Sequence, residues 1–266
     1  MARRAFGTHP DIPDHRDHAF RVPARFEKSL PRVVDLRPLC PPVYDQGKLN
    51  SCSAHAIAAA FWFDEIKEKA PEPLSPSRLF IYYNERAQEG LMVKNVPVSL
   101  RDGYKSVAKN GVCHEREWPY REGRFAVKPP ARCYRAALSH RVIRYLRLRR
   151  ELLHFEVCLA QGYPFTVGIS VYESFKKREV ARSGIVPMPR RREKHLGGHA
   201  LLVVGYDRRR RQFLVRNSWG TRWGIGGYCR MPYAYLLNPD LAWDFWTARR
   251  LSIGGRRRQQ GKSRKK

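Results

Sequence analysis

The chain has 266 residues and a mass of 31.0 kDa. Its 42% hydrophobic and 12% aromatic residues supply a sizeable core, which excludes wholesale disorder and fits one domain, or one domain split into two lobes. The formal charge of +28, carried mostly by arginine, must be tolerated as self-repulsion or met by acidic partners.

Residues 1–30 are charged and proline-punctuated, and read as an extended arm or wrap. No apolar run of signal-peptide length follows the first basic residues, so no standard secretory signal is expected. The most apolar window, "AIAAAFWF", is far short of the roughly 20 residues that span a bilayer, so no membrane span is expected either. Next comes "LPRVVDLRPLCPPVYDQG", an extended segment studded with prolines. In "SCSAHAIAAAFWFDEIKEKA", helix formers follow Ser51, a suitable N-cap, and end at Pro71, placing Cys52 in a first helical turn. Ser75 and Pro76 signal a second helix in "LSPSRLFIYYNERA". A third, "SLRDGYKSVAKNGV", stops at Asn110-Gly111.

From Tyr134 to Gln161 a basic amphipathic stretch begins extended and continues as a helix. Beyond it the pattern changes to short β-rich runs: "PFTVGIS", "HALLVVGYD", "QFLVRNS", "GYCRMPY" and "FWTARRL". Helices first and strands later predict an α+β protein with two segregated lobes. The boundaries expected are an arm over 1–30, a domain over 31–252 (helical lobe 45–130, β-rich lobe 134–252) and a basic tail over 253–266.

Six scattered cysteines (Cys40, Cys52, Cys113, Cys133, Cys158, Cys229) show no zinc-binding spacing. They read mostly as free thiols in a reducing compartment, with no metal or other cofactor expected. Cys52 stands apart because a helix N-terminus favours the thiolate through its unpaired N–H groups and dipole. Thiol-based acyl transfer also needs an imidazole to accept and return a proton, a group to hold that imidazole, and donors for the oxyanion. His199, at the entrance of a strand after two glycines, supplies the imidazole; Asn217, at the end of the next strand, supplies the orienting amide. Gln46 supplies an oxyanion donor beside the Cys52 backbone N–H.

The blocks "QGKLNSC", "GGHALLVVGYD" and "RNSWGTRWGIGGY" resemble the active-site blocks of the papain-like cysteine peptidases, in the order Gln, Cys, His, Asn. Weaker echoes in "LPRVVDLRP", "LSPSRL", "NGVCHEREWPY" and "SGIVPMP" extend the resemblance over roughly 31–235. It implies a two-lobed papain-like fold with the cleft between the lobes, and hydrolysis of polypeptide substrates through an acyl-enzyme. The roles implied are Cys52 as nucleophile, His199 as general acid and base, Asn217 as the orienting amide and Gln46 as oxyanion donor. Trp219 is implied to cover the Asn–His contact, Trp223 to form an aromatic wall, and Gly198 and Gly168 to line the substrate cleft.

Departures from the family pattern are Ser53 where a tryptophan usually follows the nucleophile, Leu49 where a disulfide-forming cysteine usually stands, and Gly198 before His199. His55, one turn from Cys52, reads as a packed histidine rather than a second base. The glycine pair that aligns extended substrate has no counterpart; "NVPVSLRDG" stands nearby instead. The arm is too short for the usual inhibitory prodomain, an arrangement that resembles a short branch of bacterial and large-virus members, so the location expected is intracellular or within a virus particle, or the nucleus of a eukaryotic host.

The basic charge has several readings. Arg208 to Arg211 read as a solvated hairpin turn, Pro189 to His195 as a patch that favours acidic substrates or supports the thiolate at longer range, and the tail "RRRQQGKSRKK" as a nuclear-targeting or non-specific nucleic-acid or polyanion-binding arm. The rival functions are therefore a papain-fold polyanion binder that has lost turnover, and a thiol-dependent transpeptidase or amidase.

Overall fold

The helix that begins at Cys52 is apolar on nearly every side, so it can be stable only in the middle of the molecule. A computed structural model of the protein, which describes residues 7–26 and 29–252, places it there. Thirteen of the sixteen residues of α1 (Cys52–Lys67) are buried, and its alanines let neighbours approach closely. It packs against α2 (Arg78–Ala87) and α3 (Leu100–Asn110) on one side and the sheet on the other.

Local chemistry sets the helix ends. Ser51 occupies the N-cap position of α1, but its hydroxyl bonds Tyr120 Oη at 2.7 Å rather than capping a helical N–H. The cap of α2 is Ser77, not the expected Ser75–Pro76 pair: Ser77 Oγ accepts from Phe80 N at 3.1 Å, the three-residue offset that a capping hydroxyl needs. Pro76 instead pairs with His114. Gly111, at φ +73°, ends α3 where expected.

The sheet comprises β1 (Val33–Asp35), β2 (Arg141–Leu148), β3 (Phe165–Tyr172), β4 (His195–Asp207), β5 (Gln212–Arg216), β6 (Tyr228–Pro232) and β7 (Ala242–Ser252). Its order is β2-β7-β3-β4-β5-β6, with β1 joining β4, and every pairing is antiparallel. Short helices α4 (Ala131–Ala137), α5 (Leu152–Ala160), α6 (Arg178–Ser183) and α7 (Tyr233–Leu237) complete it. The 134–161 stretch thus resolves into the end of α4, β2 and α5.

The α+β reading holds, with two hydrophobic clusters: one around α1, α2 and α3, the other inside the β-rich lobe. Segregation is less strict than the order of elements suggested, because β1 precedes the helices yet belongs to the sheet. β4 also begins earlier than expected. Gly197 and Gly198 pair with Val171 and Ser170, so His199 lies inside the strand rather than at its entrance. None of the described helices is long and apolar enough to cross a membrane. The six cysteines are free. Within the arginine run, Arg208 binds Glu156 at 3.0 and 2.8 Å and Arg210 binds Asp207 at 3.3 Å, so the turn is partly neutralised from within. The basic tail, 253–266, lies outside the described residues.

Candidate active site

The N-terminus of α1 meets the middle of β4, and the sulfur of Cys52 accepts a hydrogen bond from Ala200 N at 3.3 Å. That contact sets Cys52 against the residue that follows His199 in β4. The hairpin of β4 and β5 then returns Asn217, and His199 Nε2 lies 2.8 Å from Asn217 Oδ1. Ser218 N donates to the same Oδ1 at 2.8 Å, which fixes the amide's orientation. Nε2 therefore carries the proton, and Nδ1 is the basic nitrogen.

The indole of Trp219 lies over the imidazole, with ring centroids 5.0 Å apart and planes at 32°. Phe175 meets Trp219 edge-on at 5.4 Å and stacks on Trp223 at 5.5 Å. His199 and Asn217 are thereby shut away from water, where their hydrogen bond is worth most. Gln46 is equally buried: Nε2 donates to Leu49 O at 2.9 Å, and Oε1 accepts from Ser218 Oγ at 2.7 Å. The Cys52 N–H lies in the first turn of α1, where a backbone N–H has no intrahelical acceptor.

Comparison with known proteins follows the same lines. The profile of the papain family cysteine proteases matches residues 30–236. This chain belongs to the papain family of cysteine proteases. It is a cysteine peptidase with the two-lobed fold of that family. It is 38% identical over 267 residues to an uncharacterized peptidase C1-like protein of Acanthamoeba polyphaga mimivirus, covering 91% of this chain and 86% of that one. It is 30% identical over 207 residues to mouse cathepsin J, covering 71% and 56% of the two chains. Among solved structures it is similar to Xylellain, a cysteine protease from Xylella fastidiosa, at TM-score 0.86 and 41% identity over 92% of this chain and 95% of that one.

Against that family pattern, the arm adds what the sequence did not reveal. Residues 7 and 8 lie in the groove beside Cys52, held by Val98: its N–H donates to Gly7 O at 3.4 Å, and its carbonyl accepts from Thr8 Oγ1 at 2.9 Å. The fit is close, because a Cβ added to Gly7 would meet Asn50 O at 2.2 Å and one added to Gly198 would meet Thr8 O at 2.1 Å. Only glycine serves at either place.

The covering changes the chemistry of the thiol. Burial pushes the Cys52 thiol up to about 12, against the opposing pull of the Ala200, Gly7 and Ser53 N–H groups. The thiolate expected from the helix N-terminus is thus not the form favoured in this arrangement, since desolvation outweighs the local dipoles.

Of the glycines expected to line the cleft, Gly198 lies against the arm, whereas the space beside Gly168 is filled by the Trp243 indole, whose Nε1 a Cβ there would meet at 2.3 Å. His55 is a packed residue: its Nδ1 bonds Ser51 O at 2.8 Å, it meets Tyr120 edge-on, and burial pushes its pKa down to about 3. Sequence reasoning did not single out Gly7, Thr8, Val98, Phe175, Ser218 or Trp243. Two of them had a signal: Ser218 stands inside "RNSWG", and Val98 inside "NVPVSLRDG".

Proposed function

We propose that the chain cleaves polypeptides internally, with Cys52 as nucleophile, His199 as general acid and base, Asn217 as the group that orients it, and Gln46 with the Cys52 N–H as oxyanion donors. The observation that carries this reading is the 2.8 Å contact of His199 Nε2 with Asn217 Oδ1 in a strand whose next N–H binds the Cys52 sulfur. The Cys52 thiol passes its proton to His199 Nδ1, and the thiolate attacks the peptide carbonyl. The oxygen becomes an anion facing Gln46 Nε2 and the Cys52 N–H. The imidazolium then protonates the leaving amine, releasing it and leaving a thioester. Water gives a proton to Nδ1, attacks the thioester and frees the carboxylic acid, returning Cys52 to the thiol. Asn217 holds the Nε2 proton throughout.

Val98 is proposed to take the place of the absent glycine pair, aligning extended substrate through the N–H and C=O that now bind Gly7 and Thr8. The arm is proposed to be a restraint, since it occupies the groove that substrate would need and keeps the thiol protonated. The domain is proposed to run over 31–252, with the arm before it.

The test is mass spectrometry of a diverse peptide library incubated under reducing conditions with the native protein and with Cys52→Ala. New internal cleavages made by the first and not the second are expected. Transfer to added amines in place of hydrolysis would instead establish a transpeptidase, and an intact library together with an unreactive Cys52 would remove the enzyme reading.

A further inference from the structure

Three residues beyond Thr8 the arm is fastened by a buried group of carboxyls. Asp11 Oδ1 accepts from Arg101 N at 3.0 Å, Asp11 Oδ2 accepts from Trp246 Nε1 at 2.8 Å, and Asp11 N donates to Asp244 Oδ2 at 2.5 Å. Asp244 Oδ1 accepts from Arg147 Nη2 at 2.9 Å. Asp17, farther along the arm, binds Arg101 at 2.9 and 2.5 Å and Arg147 at 2.8 Å, and Arg101 also reaches the Ile12 carbonyl. Asp11 and Asp244 are 7% and 5% exposed. Asp244 stands at φ +52°, a backbone conformation unusual for a non-glycine residue, and it follows Trp243, the indole against Gly198.

The charges do not balance. Among the described residues, the groups facing the Asp11–Asp244 pair are Asp17 from the arm, Arg101 from α3 and Arg147 from β2, with the Tyr145 phenol of β2 near Asp17 and Arg101. Farther out, around the same arm segment, stand the exposed Asp14–Arg16 pair, His9, His15, Glu89, Asp102 and Lys105, and His18, whose carbonyl accepts from Arg147 N. In the buried group three carboxyls share two guanidiniums. Asp17 takes most of both, so the pair is left one positive charge short, a deficit that one proton removes.

We propose that Asp11 and Asp244 form a proton-held latch on the arm, closed while the pair keeps one proton and released as that proton is lost to solvent at rising pH. This rests on the reading of the arm as the cover over Cys52. Burial and the Asp11 carboxylate raise Asp244 to about 7. Once the arm leaves, Asp244 returns to water and to the ordinary range of about 4. The latched form binds the extra proton between those values. The latch therefore holds best in acid, weakens by roughly tenfold for each pH unit as pH rises from about 4 to about 7, and is weakest above that.

Hydrogen exchange of the full chain, read by mass spectrometry and corrected for the intrinsic pH dependence of amide exchange, tests this without any peptide being hydrolysed. In the native protein, exchange over residues 7–17 is expected to accelerate by up to about a hundredfold between pH 5 and pH 8, while β3 keeps its protection. In Asp244→Asn and in Asp244→Ala the corrected exchange is expected to lose this pH dependence, whatever its resting level. Equal arm protection of the native protein at both pH values overturns the latch. So does a native-like pH response in the two variants. A protein that cleaves nothing gives the same readout, so failure of the peptidase reading and failure of the latch are told apart.

Discussion

The main-chain carbonyl of Thr8 stands so close to Gly198 that a Cβ at position 198 would meet it at 2.1 Å. Both partners belong to the surroundings of Cys52, one as the arm that covers it and one as the residue before His199. The peptide unit of the arm cannot swing aside as a flexible side chain would. Gly198→Ala is therefore expected to expel the arm. Without that cover the thiol falls from its raised value, and each pH unit of fall increases the thiolate about tenfold. Alkylation of Cys52 by iodoacetamide at neutral pH, followed by mass spectrometry of the Cys52 peptide, should accelerate by about tenfold or more. An unchanged rate would mean that the arm does not guard the thiol.

Asn217→Ala removes the acceptor that His199 Nε2 faces at 2.8 Å, so the imidazole loses the bond that sets its tautomer. Since positioned acid–base catalysis is worth about 10²- to 10⁴-fold, kcat should fall by about 10²-fold while KM changes little. Steady-state kinetics on a fluorogenic peptide separate the two parameters. A rise in KM alone would assign Asn217 to substrate binding instead.

Gln46→Ala removes the proposed oxyanion donor, and loss of such a donor typically lowers kcat by about 10²- to 10³-fold. It also deprives Ser218 Oγ and Leu49 O of their partners in a buried setting, costing about 1–3 kcal/mol of stability. Thermal unfolding and kinetics measured on the same preparation should show both effects. Unchanged kcat with a lowered Tm would leave Gln46 a purely structural role.

Directly behind Cys52, Ser53 Oγ donates to Glu85 Oε1 at 2.7 Å, and burial pushes the Glu85 carboxyl up to about 8. The folded chain thus keeps a proton that the unfolded chain loses near pH 4.3, so Glu85 lowers stability as pH rises from about 4 to about 8, on the order of 1 kcal/mol per pH unit. Glu85→Gln cannot ionise and lacks this slope. Urea denaturation at pH 6 and pH 8 should show the variant gaining on the native protein at the higher pH. Parallel pH dependence of the two would contradict a buried, protonated Glu85.

How much of this was legible in the chain differs from one feature to the next. α1 and α3 were visible because their signals are local: a run of helix formers after Ser51, and an Asn110-Gly111 stop that satisfies the last carbonyls whatever the rest of the fold does. Ser77 was missed in favour of Ser75 because two serines flank one proline, and only the position of Phe80 N shows which hydroxyl caps. Cys52, His199 and Asn217 were legible through the residues beside them. Their separation in sequence did not hide them, since each block carries its own pattern.

The sequence by itself determined that the chain is an α+β protein with a cysteine at a helix start, an imidazole and an amide on successive strands, and a glutamine before them. Such features are set by local residue types and by short hairpins. Only the tertiary structure decided that Gly7 and Thr8 lie beside Cys52, that burial there pushes the thiol's pKa up, and that Asp11 meets Asp244 across 233 residues of chain. Long-range contacts of that kind follow from which surfaces exclude water from which others, and no pattern of neighbouring residues records that choice.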